Sequence, residues 1–241
     1  MNLYAYCLSD EVTAEMLEPL TGMADAKPRL LVGGKIAAIV SEFEGEAVTV
    51  TRENVLAHER VVRRVLMRAT PLPFRFGTVV PEERLRNYLD SQQDSLLAQF
   101  MRVRGCVEMS VKVIWDLESV KEEAAGLNRQ EGATESAGPV MGSGTEFLKT
   151  KRLEILGDEA LKRRAAEVAS WLAESLGETV RETRVTVQPK ESLVLAAAHL
   201  VERGRLKEYR ARLGRARAQR ADLHFLTSGA WPPYSFTGIS S

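Results

Sequence analysis

Three histidines are the side chains of this sequence best suited to acid–base or metal chemistry near neutral pH. They are His58, His199 and His224, and none has a second histidine two or four residues away. Those spacings would place two imidazoles on one side of a strand or a helix, as a metal site requires. The cysteines, Cys7 and Cys106, are far apart and lack the CxxC spacing of a zinc site. The sequence therefore predicts no metal site, and we expect the cysteines to be buried free thiols.

Motifs for a catalytic nucleophile or for a bound phosphate are also missing from the sequence. It contains no GxSxG, GxGxxG or P-loop pattern, so we expect no cofactor. An enzyme with an unrecognised pocket would have to use His58, which interrupts the apolar stripe of a helix, together with Arg75. We interpret His58 instead as a buried or interface histidine. The sequence predicts that the protein is not an enzyme.

An arginine between two phenylalanines is the first unusual segment. Phe74, Arg75 and Phe76 follow prolines at 71 and 73, which restrict the backbone before any partner binds. We expect Arg75 to form a buried ion pair with Glu108 that joins the two halves of the chain. The alternative is that Arg75 contacts a partner.

The second unusual segment is a C-terminal tail, residues 229–241, which is rich in aromatic residues and proline. Its large apolar side chains are Trp231, Pro232, Pro233, Tyr234 and Phe236. Left in water, they would form a costly apolar patch. We expect the tail to dock on its own chain, with docking on another protein as the alternative.

A strongly basic helix is predicted at 203–220. Its cations are Arg203, Arg205, Lys207, Arg210, Arg212, Arg215, Arg217 and Arg220. Such a helix beside a sheet suggests RNA binding, but the strand at 193–200 has no aromatic side chain on which bases could stack. We favour a solvated face or an acidic protein partner and do not expect nucleic acid. A nucleic-acid-binding or regulatory module that uses this helix remains the alternative.

The spacing of apolar residues gives the elements of the first half, in the order β-α-β-β-α-β with one appended helix. The expected strands are 2–8, 30–32 and 36–40, and the expected helices are 10–22, 51–70 and 81–104. Gly33-Gly34 predicts the hairpin between the second and third strands. The segment 72–76 is expected to be short and extended, because its prolines lack a backbone donor.

The second half repeats the same order. Residues 106–115 alternate apolar and polar, which predicts a strand with one polar face that includes Glu108. The later elements are expected at 145–176, 179–187, 192–201, 203–220 and 222–227. An acidic helix and a flexible linker are expected at 118–144.

The sequence therefore predicts an α+β protein with two tandem α+β domains. They are an N-terminal domain, 1–104, and a modified ferredoxin-like (split βαβ) domain, 105–228, which the tail 229–241 follows.

Composition limits the classes of function. The chain of 241 residues carries 33 Lys and Arg against 33 Asp and Glu, and 44% of its residues are hydrophobic. That apolar share excludes global disorder, and zero net charge argues against coating polyanions as the main task. No apolar run is long enough to cross a membrane, and no signal peptide is visible. We expect a cytoplasmic protein without a membrane segment, monomeric or weakly self-associating.

Four motifs in register resemble the GvpF/GvpL family of gas vesicle proteins. They are Leu56–Val62, Pro73–Thr78, Gly105–Glu108 and Gly229–Phe236, and the resemblance extends from Tyr4 to Phe236. The tail resembles that family's terminal GPWPPYSF-type signature, although Ala230 stands where proline is usual. The motifs do not distinguish the F from the L paralogue.

This resemblance implies a minor, non-enzymatic component of gas vesicles, the hollow protein shells that give microbes buoyancy. It also implies two α+β domains, the second of them ferredoxin-like. The expected partners are the small hydrophobic shell protein GvpA and accessory Gvp proteins, bound early in assembly in the cytoplasm. The resemblance assigns no catalytic residue. The partner-binding or inter-domain candidates are His58, Phe74, Arg75, Phe76, Glu108, Trp231, Pro232, Pro233, Tyr234 and Phe236.

Overall fold

The structure is a computed structural model that describes residues 1–115, 143–186 and 193–238. The acidic helix and linker predicted at 118–144 lie outside the described residues, except that 143 and 144 begin a long helix. Strands and helices both contribute, and the protein is an α+β protein, as predicted.

The first sheet is built around its N-terminal strand. In chain order the elements of this half are β1 (Asn2–Ser9), β2 (Arg29–Gly33), β3 (Ile36–Phe43), α1 (Arg52–Leu66), β4 (Leu72–Pro73), β5 (Val79–Pro81), α2 (Glu82–Ser91) and α3 (Gln93–Val103). Strand β1 pairs antiparallel with β3 on one side and with β4 and β5 on the other, and β2 pairs antiparallel with β3. The side chains from Leu3 to Leu8 are completely buried, which explains why β1 is apolar at nearly every position.

Two of the predicted helices differ in the structure. Residues 10–22 form no regular helix but contain a short 3₁₀ turn, Ala14–Leu17, and a second turn follows at Met23–Asp25. Pro19 explains the difference, since proline lacks the backbone N–H that a continuous α-helix over 10–22 would need at that position. The helix predicted at 81–104 is divided at Gln92, where φ is −107° and ψ is 11°. The apolar stripe of the helix is interrupted there, because Gln92 and Gln93 occupy the positions between Leu89 and Leu96 where an apolar residue is expected.

Helix α1 covers one face of this sheet. The Oγ1 atom of Thr51 accepts a hydrogen bond of 3.2 Å from the N–H of Asn54, which caps the start of the helix. The helix packs with β1 and β3 in one hydrophobic core, to which Tyr6, Ile39 and Val61 belong. Both cysteines are buried, and neither forms a disulfide with another described residue.

The second sheet follows the predicted order along the chain. Its elements are β6 (Cys106–Trp115), α4 (Ser143–Leu176), β7 (Glu182–Thr186), β8 (Leu193–Glu202), α5 (Leu206–Gln219) and β9 (Leu223–Trp231). The strand order in the sheet is β7-β8-β6-β9. This order supports the ferredoxin-like description, which stays a prediction. No helix in the described ranges is both long enough and apolar enough to cross a membrane.

Two compact units result, and both are discontinuous in sequence. The first comprises Met1–Met109, His199–Arg205 and the chain from Ser228 onward. The second comprises Ser110–Ala198 and Leu206–Thr227. The contiguous domains expected at 1–104 and 105–228 stay a prediction.

Gly33 provides a test of the packing of α2 on the hairpin of β2 and β3. A Cβ atom there would lie 2.6 Å from the Cβ of Leu89. We expect Gly33→Ala to lower the free energy of unfolding by about 1–3 kcal/mol in urea titrations, because helix and strand must separate. Gly204→Ala is the matched control, since nothing lies within 4 Å of that position. An equal effect of both substitutions would contradict the packing described.

Candidate functional site

The loop Phe74–Thr78 is held against strand β1. The N–H of Phe74 donates to the carbonyl of Tyr6 at 3.0 Å, and the N–H of Ala5 donates to the carbonyl of Thr78 at 3.0 Å. Inside the loop, the N–H and the hydroxyl of Thr78 both donate to the carbonyl of Arg75, at 3.2 and 2.8 Å. The loop is therefore fixed by its backbone, and the Arg75 side chain is left exposed.

A hydrogen-bond relay continues from this loop into the core. Gly77, which has a φ of +87°, donates its N–H to the hydroxyl of Tyr4 at 3.2 Å. That hydroxyl lies 2.8 Å from Nδ1 of His58, and Nε2 of His58 lies 3.3 Å from the hydroxyl of Tyr234. The buried Tyr4 hydroxyl contacts the Gly77 N–H and Nδ1, and Nδ1 is its one available acceptor among the described residues, so its proton is directed at Nδ1. His58 then carries its hydrogen on Nε2 and donates it to Tyr234.

The side chains of this relay are neutral at pH 7, and burial moves each pKa further from neutrality. It lowers the pKa of His58 to about 4 and raises the pKa of Tyr4 to about 12. It also raises the pKa of Tyr234. Both ring nitrogens of His58 are bonded, and the residue is 3% exposed. The histidine ties three segments together and is not poised to exchange protons near neutral pH.

The C-terminal tail docks on the first unit through Ser235. Its N–H and its hydroxyl donate to the two carboxylate oxygens of Glu108, each at 2.7 Å. Phe236 is completely buried, and Gly238 donates its N–H to Oε1 of Gln99 at 3.1 Å. The tail therefore docks within its own chain. It also begins inside a strand, because β9 runs to Trp231 instead of ending near 227.

The ion pair predicted between Arg75 and Glu108 does not form. Both oxygens of Glu108 accept hydrogen bonds from Ser235, and Arg75 has no ion-pair partner among the described residues. The single polar face predicted for β6 is wrong at its start, where Glu108 is 7% exposed beneath the tail. Nothing in the sequence marked Ser235 or Tyr4 as a partner of the predicted residues.

Gly229 allows the last strand to lie close to β6. Its φ is +121°, and a Cβ atom there would lie 2.7 Å from the carbonyl oxygen of Glu108 and 2.9 Å from the sulfur of Met109. Only glycine combines this backbone with this approach. The residue therefore positions the tail that follows it.

Helix α1 and the tail enclose an apolar groove of about 300 Å³, which we call the α1–tail groove. Its main lining residues are Val55, Val62, Leu66, Phe76, Trp231 and Tyr234. Val55, Trp231 and Tyr234 are 36–39% exposed, so the groove opens to solvent with apolar side chains at its mouth. His58, Glu59 and Arg63 also line it.

A second cavity, of about 350 Å³, adjoins the same loop and is called the arginine cavity. It is lined by residues 74–80 of the loop and of β5, and by Arg84, Leu85 and Tyr88 of α2. Phe76 lines both cavities.

The predicted site residues are divided between these two cavities and the docked tail. The α1–tail groove is lined by His58, Phe76, Trp231, Pro232 and Tyr234. The arginine cavity is lined by Phe74, Arg75 and Phe76. Pro233 and Phe236 are buried and Glu108 holds the tail, so these three residues position the others.

The basic helix, α5, has part of its charge bound within the second unit. Arg212 pairs with Glu208 at 3.0 Å, and Arg220 pairs with Asp222 at 2.6 Å. The guanidinium of Arg220 also lies 5.3 Å from the centre of the Trp171 ring. In the described part of the chain, no three His, Cys, Asp or Glu side chains converge as a metal site.

Comparison with known proteins decides the family. A family model described as gas vesicle synthesis protein GvpL/GvpF matches residues 2–238. The chain belongs to this family. Gas vesicle protein F of Streptomyces sp. (strain CB03234) is 28% identical over 240 residues, which are 98% of this chain and 99% of the relative. Gas vesicle protein L of the same strain is 26% identical over 259 residues and covers 98% of this chain and 93% of the relative.

Solved structures of gas vesicle proteins share the fold. The crystal structure of GvpF from Anabaena sp. PCC7120 has a TM-score of 0.82 at 20% identity and covers 100% of this chain and 99% of that one. The structure of GvpF from Microcystis aeruginosa has a TM-score of 0.79 at 19% identity, covering 98% of each chain. These structures bear out the α+β fold predicted from the sequence.

Acid should weaken this gas vesicle protein through His58. The pKa of the folded state, about 4, lies below the ordinary 6.5, so the unfolded chain takes up the proton first as the pH falls. The contribution is complete above pH 6.5 and is lost as the pH falls towards 4. Between pH 7 and pH 5 it amounts to about 2 kcal/mol of unfolding free energy. We expect His58→Gln to lack that loss in urea titrations.

The exposed His224 is the control for this experiment. His224→Gln should keep the pH dependence of the wild type, because that side chain is in contact with solvent. Equal pH dependence in wild type and His58→Gln would show that the relay does not hold a neutral histidine.

Release of the tail should follow from loss of the Glu108 carboxylate. Glu108→Ala leaves the two donors of Ser235 without acceptors, so we expect chymotrypsin to cleave after Tyr234 or Phe236 about five times faster. Mass spectrometry of the fragments measures the rate. Glu108→Gln keeps one acceptor and should be intermediate, and Glu83→Ala, an exposed site, should match the wild type.

Proposed function

We propose that this gas vesicle protein is a non-enzymatic assembly or nucleation factor that binds the hydrophobic shell protein GvpA in its α1–tail groove. It also contacts accessory Gvp proteins. The protein acts in the cytoplasm, where new shell subunits are made, and associates with the gas vesicle there. It works as a monomer or with weak self-association.

Exposed apolar surface in the groove is the observation that carries this proposal. Val55, Trp231 and Tyr234 remain more than a third exposed, although Pro232, Pro233 and Phe236 beside them in the tail are buried. Soluble proteins rarely leave such side chains grouped around an opening unless a partner covers them. A segment of a hydrophobic shell subunit has the chemistry to cover them.

The groove is also held by tertiary contacts in the absence of a partner. Ser235 and Phe236 hold the tail wall, and the relay through His58 connects that wall to α1. A wall that is already ordered loses little conformational entropy on binding, so more of the contact energy appears as affinity. This preorganisation suits a factor that captures aggregation-prone subunits.

The chemistry of His58 supports a binding role without catalysis. Its ring is buried, neutral and bonded on both nitrogens. The nucleic-acid alternative has no support from the comparisons, which lead to gas vesicle proteins along the whole chain.

Substitution at the groove mouth tests the proposal. We expect Val55→Ser combined with Trp231→Ser to lower the amount of GvpA that co-purifies with the co-expressed protein about fivefold or more. Both side chains are partly exposed, so the fold should persist, and a thermal melt checks this. Met101→Ser is the matched control, since Met101 is 71% exposed and does not line the groove. Undiminished co-purification of GvpA with the double variant would refute the groove as its site.

A further inference from the structure

The arginine cavity carries two cations that have no acidic partner in the described chain. Arg75 and Arg84 both line it and are both exposed, and no ion pair or hydrogen bond of either guanidinium occurs within the described ranges. The adjacent carboxylate of Glu82 is already bound, at 3.1 Å to Arg29 and at 2.6 Å to Arg86. Two guanidinium groups at one opening favour a ligand that brings its own carboxylates.

Aromatic and aliphatic side chains form the rest of the cavity. Phe74 is buried, and Phe76, Val80 and Tyr88 are half-buried around it. The Tyr88 hydroxyl has no hydrogen-bond partner in the part of the chain that the structure describes, and as a phenol it is a donor at neutral pH. A ligand for this cavity therefore combines acidic groups with apolar ones.

An open strand edge runs along the cavity. Strand β5 pairs with β1 on one side, and no other strand of the described chain pairs with it. In such a strand, alternate residues direct their N–H and C=O groups away from the partner strand. Hydrogen bonds from Ala5 to Thr78 and from Glu82 to Met1 put Val80 opposite Leu3 in a hydrogen-bonded position, so its backbone groups face β1. The groups directed away from β1 are the N–H and C=O of Val79, which lines the cavity, and the C=O of Pro81, which has no N–H. An extended peptide can use the edge, whereas a compact small molecule leaves it unpaired.

We propose that the arginine cavity binds an extended acidic segment of another protein, which pairs with the free edge of β5 and places a carboxylate against Arg75 and Arg84. Apolar side chains of the same segment cover Phe76 and Val80. This site is distinct from the α1–tail groove and does not require that GvpA bind there, so the two proposals can fail separately.

A pair of synthetic peptides tests the charge requirement. Fluorescein-labelled (Glu-Val)4 should bind the full chain at least about tenfold more tightly than (Gln-Val)4 in anisotropy titrations, because only the first supplies carboxylates. This preference should disappear in the double variant Arg75→Gln with Arg84→Gln. Both arginines are exposed, so circular dichroism and the thermal melt should match the wild type.

A control variant separates the cavity from general charge attraction. Arg52→Gln with Arg68→Gln removes the same two charges at exposed positions that do not line the cavity, and it should keep the preference for (Glu-Val)4. The proposal is overturned if both double variants lose the preference equally, or if neither loses it.

Two further probes address the strand edge and the class of ligand. A (Glu-Val)4 peptide N-methylated at every residue should bind about tenfold more weakly, since neither of its edges can then donate. Equal binding of the methylated peptide would overturn the strand pairing. ATP binding more tightly than (Glu-Val)4, with that binding lost in the Arg75 and Arg84 variant, would assign the cavity to a small anion and overturn the proposal.

Discussion

The hydrogen bond between Tyr4 and His58 is the interaction on which both candidate binding surfaces depend. Tyr4 lies on the central strand and accepts from Gly77, so the bond fixes the loop that separates the two cavities. His58 passes the connection on to Tyr234 in the tail. This buried pair thus connects the walls of the α1–tail groove with the rim of the arginine cavity. The bond between Tyr4 and His58 is buried, and the low dielectric constant of the core strengthens it.

Most of the fold followed from the sequence, because apolar spacing reports local structure directly. Strand β6 was predicted at the residues where it lies, and α1, β1 and β3 differ by a few residues. The errors arose where a single residue or a tertiary contact outweighed the local spacing of apolar residues. Pro19 prevented a regular helix over 10–22, and β5 forms because β1 offers it a partner. A strand of three residues is too short to show the alternation of apolar and polar residues that predicts a strand.

The sequence predicted which residues belong to the candidate site but not which of them form hydrogen bonds with one another. Aromatic side chains beside proline identified the loop and the tail, because such side chains need cover. The predicted partner of Glu108 was wrong, because the sequence around a serine in the tail does not indicate which carboxylate that serine binds. Pairings between residues far apart along the chain depend on the tertiary fold, and charge alone favoured Arg75. The relay through Tyr4 was missed for the same reason: a tyrosine in an apolar strand resembles any other core aromatic.

The distance along the chain between the two walls of the groove has a consequence for how the protein is made. His58 and Tyr234 are 176 residues apart. During synthesis, α1 and the first sheet leave the ribosome long before the tail exists, so a nascent or truncated chain has the helix but no second wall. The groove is therefore complete only in a chain that has been translated past Tyr234.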